Sequence, residues 1–120
     1  MAHALVVYES MFGNTQAVAV EVSESLSGVG TVDLLEVGAA PPVLPGDVDL
    51  LAVPVNAPWG KVAETIEFVR RVAPTRGVIP IHDGLLNDTG RAMYLNHIGT
   101  HGADGGVEVL DLRGQSPTTL

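Results

Sequence analysis

The sequence predicts an α/β protein: a three-layer, doubly wound sandwich around a five-stranded parallel sheet. Three observations point there. Short apolar runs rich in Val, Leu and Ile alternate with segments of helical period along the whole chain. Several of those runs are apolar without in–out alternation, as in strands covered on both faces. Hydrophobic residues form 46% of the 120 residues and aromatics only 4%, so aliphatic side chains must fill the core. Parallel strands require crossover connections, and helices packed on both faces of the sheet supply them.

The elements follow in order. Residues 4–8 form the first strand. Residues 14–27 form a helix in which Val18, Val22 and Leu26 recur as a stripe, with Gly28 as its stop. Residues 32–37 are the second strand. Residues 38–47, with three prolines and two glycines, are a connector. Residues 48–55 are the third strand, with Pro54 near the end, where a lost donor matters least. Residues 61–72 are the clearest helix, with Val62, Ile66, Val69 and Ala73 on one side and Pro74 behind it. Residues 78–81 are the fourth strand. Asn87 or Asp88 caps a helix that runs to about Ile98. Residues 107–112 are the fifth strand, and 113–120 add an edge strand or fray.

Composition narrows the function. Six Lys and Arg stand against fourteen Asp and Glu, for a net charge of −8. That disfavours nucleic acid, whose binding needs concentrated basic charge, and anionic membrane surfaces as well. The absence of Cys excludes disulfides and thiolate chemistry. No apolar run approaches the roughly 20 residues of a membrane span, and no secretory leader is evident, so a cytoplasmic protein is expected.

Ligands of doubly wound sheets sit beyond the carboxyl ends of the strands. Three loops meet that description: 9–15, 56–60 and 82–88. In the first, Gly13 lets backbone approach a ligand, and Ser10, Asn14 and Thr15 offer short polar side chains. The N–H groups and dipole of the following helix favour an anion without any Lys or Arg. The loop is neither the phosphate loop that ends in Gly-Lys-Ser/Thr nor the dinucleotide glycine fingerprint.

The segment Val6-Val7-Tyr8-Glu9-Ser10-Met11-Phe12-Gly13-Asn14-Thr15 resembles the opening of flavodoxin-like proteins. Ser10, Asn14 and Thr15 match the positions that hold the FMN phosphate there. Many flavodoxins carry a hydroxyl residue where Phe12 stands. The resemblance implies FMN as cofactor, electron transfer as role, and Ser10, Met11, Phe12, Gly13, Asn14 and Thr15 as the phosphate loop. Flavodoxins also place an aromatic residue after the third strand, against the flavin ring. Trp59, the only Trp, stands there, so Asn56, Trp59 and Gly60 complete the expected flavin site.

From about residue 47 the chain resembles another family. Asp49-Leu50-Leu51-Ala52-Val53-Pro54-Val55-Asn56-Ala57-Pro58-Trp59 and Val78-Ile79-Pro80-Ile81-His82-Asp83-Gly84 look like the C-terminal part of metallo-β-lactamase-fold hydrolases. His82 matches a metal ligand of that family, but the family's H-x-H-x-D-H cluster is absent. A catalytic zinc site needs about three protein ligands, and His82 with Asp83 gives two, so no metal is expected. His97 and His101 are four apart, with Gly99 and Gly102 interrupting a helix there. A Ser10–His82–Asp83 triad is disfavoured, because adjacent strand residues point to opposite faces.

The chain therefore reads as one domain, 1–120, joining a flavodoxin-like segment 1–46 to a hydrolase-like segment 47–120, with the five strands in the order 2-1-3-4-5. The expected function is binding of FMN or another phosphate-bearing small molecule, as a binding module rather than an enzyme with catalytic side chains of its own. The alternatives are a hybrid α/β domain without activity, and a metal-dependent hydrolase lacking most of its ligands. A homodimer is expected, since the hydrolase-like segment lacks the half it normally packs against.

Overall fold

A computed structural model describes residues 2–8, 13–28, 30–36, 43–56 and 60–117. The chain divides into two compact units, Met1–Pro42 and Val43–Leu120.

The first unit is one βαβ motif. Strand β1 (Ala2–Tyr8) leads to helix α1 (Asn14–Leu26) and then to strand β2 (Gly30–Glu36). The strands pair in parallel, from Ala2 opposite Gly30 to Tyr8 opposite Glu36. Alternation divides the side chains. Ala4, Val6, Val32 and Leu34 are half-buried on one face, whereas His3, Leu5, Val7, Thr31 and Asp33 are exposed on the other. Helix α1 buries Ala19 and half-buries Ser23 and Leu26, positions four and three apart. The stripe expected at Val18, Val22 and Leu26 is therefore rotated: Val18 is 63% exposed and Val22 44%. The small Ala19 and Ser23 let the helix approach a sheet only two strands wide.

The second unit repeats the motif and adds a helix. It runs β3 (Leu50–Pro54), α2 (Val62–Val72), β4 (Gly77–Ile81) and α3 (Asp88–His101). Strands β3 and β4 are parallel, from Leu50 opposite Gly77 to Pro54 opposite Ile81. The register puts Leu51, Val53, Val78 and Pro80 on one face. Val53, Val55 and Val78 form the buried core there with Val69 of α2 and Ile98 of α3. Val62 and Ile66 of α2 and Tyr94 and Leu95 of α3 pack around it. Both helices thus serve one face of this sheet, and on the other face Ala52 and Ile81 are exposed.

This overturns the expected architecture. The described strands form two two-stranded parallel sheets, not a five-stranded flavodoxin-like sheet of order 2-1-3-4-5. The missing fifth strand has a local cause. The segment 107–112 makes a single parallel bridge, Val78 to Val109. The Val78 N–H donates to the Glu108 carbonyl and the Leu110 N–H to the Val78 carbonyl, both at 2.9 Å. The next donor on that edge of β4 belongs to residue 80, which is proline, so the ladder stops. At the other end Gly105 and Gly106 take positive φ of 82° and 93°, which turns the chain instead of extending it. On β3, Pro54 likewise withholds a donor from the edge away from β4. No helix among the described residues is long and apolar enough to cross a membrane.

Helix ends explain where elements stop. The Asn87 side chain accepts from the Gly90 N–H at 2.8 Å and caps α3. Helix α2 carries Glu64 in its first turn and Arg70 and Arg71 in its last, which suits the helix dipole. At the end of α3, Gly102 is a packing requirement. A Cβ there would lie 2.6 Å from Val107 Cγ1, 2.7 Å from the Ile98 carbonyl and 3.0 Å from Val69 Cγ1. Its φ of −66° suits any residue, so the constraint is steric.

Gly102→Ala should therefore destabilise the protein by about 1–3 kcal/mol through overpacking. Gly84→Ala, whose new Cβ would meet nothing within 4 Å, should be near neutral. Urea unfolding midpoints at unchanged m-value check the contrast.

Candidate functional site

Of the expected phosphate loop the structure describes Gly13, Asn14 and Thr15. Gly13 is the N-cap, in the left-handed region at φ 86° and ψ −11°. A β-branched residue would adopt that conformation only under strain. The Ala17 N–H donates to the Gly13 carbonyl at 3.0 Å and closes the first turn. The N–H groups of Asn14, Thr15 and Gln16 precede that bond, so they have no intrahelical acceptor. Among the described residues no side chain caps this end, and the first turn carries no acidic residue. Asn14 and Thr15 are exposed. Ser10, Met11 and Phe12 lie outside the described residues.

The second and third loops belong to the other unit. Asn56 is half-buried and Gly60 exposed, while Trp59 lies outside the described residues. Asn56 pairs with His82 just beyond β3 and β4. Its N–H donates to the His82 carbonyl at 3.3 Å, and the His82 Nδ1–H donates to the Asn56 carbonyl at 2.5 Å. His82 holds a positive φ of 56°, which aims its ring back across the strand ends. Asp83 turns elsewhere, to Arg91. His82 and Asp83 are thus directed to different partners. Among the described residues no group of three His, Cys, Asp or Glu side chains is placed to hold a metal ion.

The densest polar cluster surrounds Arg91, which the reading of motifs passed over. Its side chain is only 9% exposed. Nε donates to Asp83 Oδ2 at 2.5 Å, and the two terminal nitrogens donate to the two oxygens of Asp111 at 2.8 Å each. The Arg113 N–H also donates to Asp111 Oδ1 at 3.1 Å, and the Arg113 side chain reaches Asp88 at 3.3 Å. Hydrogen bonds from Arg91, then that from the Arg113 backbone, push the Asp111 carboxyl down to about 2. The Arg91 hydrogen bond likewise lowers Asp83, against its partial burial. Asp111 and Asp83 in turn raise Arg91 further above its ordinary value. A cleft of about 640 Å³ opens beside the cluster between Leu95 and Arg113. Both guanidinium groups at its edge are already paired, which suits a structural tie. One signal was legible: residues 91, 95 and 98 share the core face of α3, and a charge at a core-face position demands partners.

No protein-family model matches the chain. Protein Rv0786c of Mycobacterium tuberculosis (strain ATCC 25618 / H37Rv) is 41% identical over 56 residues, which are 46% of this chain and 26% of that protein. The chain thus spans about a quarter of the length of the curated relative it matches.

Removing Arg91 takes the guanidinium donors from two carboxylates and leaves Asp111 only the Arg113 N–H, so Arg91→Met should cost about 1.5–3 kcal/mol. The acid side has a definite sign. Carboxylates lowered in the folded state stabilise above their unfolded value near 3.8, and that stabilisation disappears as pH falls toward about 2. Urea unfolding of the parent protein should weaken across that window, and Arg91→Met should flatten the dependence.

Proposed function

We propose that the chain binds a phosphate monoester at the start of α1, with FMN as the ligand. The observation that carries this reading is the left-handed Gly13 that opens helix α1. Three N–H groups there lack intrahelical acceptors, and a phosphate oxygen supplies them. The resemblance of residues 6–15 to the flavodoxin phosphate loop supports FMN as the ester. Bound FMN supplies redox chemistry of its own, and the chain's part is to hold and orient the phosphate. Asn14 and Thr15 add short side chains at the mouth of the site.

The expected homodimer belongs to the same proposal. Leu5, Val7, Val18 and Val22 of the first unit are exposed apolar residues that a second copy would cover. Light scattering should give twice the monomer mass, and a monomer at working concentration would overturn this part.

FMN and riboflavin separate the phosphate from the ring. After mixing and desalting, the protein should retain FMN, with quenched flavin fluorescence, and should release riboflavin. Gly13→Val should lower FMN affinity at least about tenfold, because valine resists positive φ. Inorganic phosphate should compete. A colourless protein with unquenched FMN fluorescence would refute the proposal.

A further inference from the structure

The outer face of α3 near its carboxyl end carries two histidines. His97 and His101 are one turn apart, both exposed, with ring centres 6.2 Å apart and planes 21° from parallel. Glycine ordinarily loosens a helical turn, but at 99 and 102 it anchors this one. The Val107 N–H donates to the Gly99 carbonyl at 2.8 Å, and a Cβ on Gly99 would already press on Val109 Cγ2 at 3.3 Å. The Gly102 N–H donates to the Ile98 carbonyl at 2.8 Å. Ile98, between the two histidines, is fully buried. Arg70 donates to the His101 carbonyl at 2.8 Å and holds Asp104 with its other nitrogen. The last turn is thus fixed from below and from the side, and the two imidazoles stand on a rigid base.

We infer that His97 and His101 form a two-imidazole site for a first-row divalent cation such as Zn²⁺, Ni²⁺ or Cu²⁺. Imidazole suits these metals, and residues four apart share one helix face. A metal about 2.1 Å from one nitrogen of each ring brings the ring centres to about 5 Å. Rotation of one exposed ring covers the remaining distance from 6.2 Å. Water completes the coordination shell, since among the described residues no third ligand joins the pair. The charges support a cation. The carbonyl end of a helix is its negative pole, and the chain carries a net charge of −8. The nearby positive group, Arg70, is occupied by the His101 carbonyl and Asp104.

The test is calorimetric titration of the full chain with ZnCl₂ and with NiCl₂, in a His3→Ala background so that the imidazole near the amino terminus contributes nothing. One ion should bind per chain, and His97→Ala and His101→Ala should each weaken it at least about tenfold. Because both rings meet one metal only on a formed helix, saturating metal should raise Tm by about 5 °C or more, and neither single variant should show the rise. His97→Ala and His101→Ala change exposed side chains, so circular dichroism should find both variants folded. Absence of binding, or equal binding by either variant, would overturn the inference. The site is independent of the phosphate loop, and FMN retention is untouched by either outcome.

Discussion

The second unit depends on one buried guanidinium. Arg91 sits on the core face of α3, where an apolar residue would be expected, and it reaches two carboxylates distant in sequence. Asp83 fixes the loop after β4, and Asp111 fixes the segment that follows the bridge at Val109. That segment has only one strand bridge, so backbone pairing alone holds it weakly. The bidentate Arg91–Asp111 pair supplies the geometry the ladder lacks. The desolvation cost is reduced because the carboxylates stay near solvent, with the Asp111 side chain 44% exposed. The arrangement is a tie across three segments, with the charge sheltered and its partners at the rim.

Proline sets the limits of this sheet, and Arg91 compensates. In β4, residues 77, 79 and 81 face β3 with their backbone groups, and residues 78 and 80 face the C-terminal segment. Valine at 78 gives a complete bridge and proline at 80 gives none. Gly77 works with this arrangement: a Cβ there would fall 2.6 Å from the Glu108 carbonyl, so glycine admits the close approach that the bridge needs. The core can then be small. Among the described residues, five buried aliphatic side chains form it, from β3 and the residue after it, β4, α2 and α3.

Much of the secondary structure was legible because its signals are local. The α2 stripe of Val62, Ile66 and Val69, its stop at Pro74 and the Asn87 cap are set by residues within one or two turns of each other. Sheet assembly was not legible, because a β-rich run such as 107–112 reads the same whether its neighbour can donate along the whole edge or at one residue only. The fact that decides it, Pro80, lies about 30 residues away. The face of α1 was misread for a related reason: Val18 and Val22 are the more apolar choice, but Ala19 is the residue small enough to lie against the sheet. For the candidate site, the turn at Gly13 was legible from its residue type, since glycine adopts the left-handed region without strain. The Arg91 cluster did not follow from any motif, since its partners lie eight and twenty positions away.

Helix polarity joins the remaining features. An α-helix offers unpaired N–H groups at its start and unpaired carbonyls at its end. In α3 both ends are answered by protein: Asn87 accepts at the start, and Arg70 donates at the end. In α2 side-chain charge matches the dipole at both ends. At the start of helix α1, among the described residues, glycine supplies no side-chain cap and no acidic residue stands in the first turn. Two of the three helices are matched by the chain's own groups, and the start of α1 is where the phosphate proposed above would supply an acceptor.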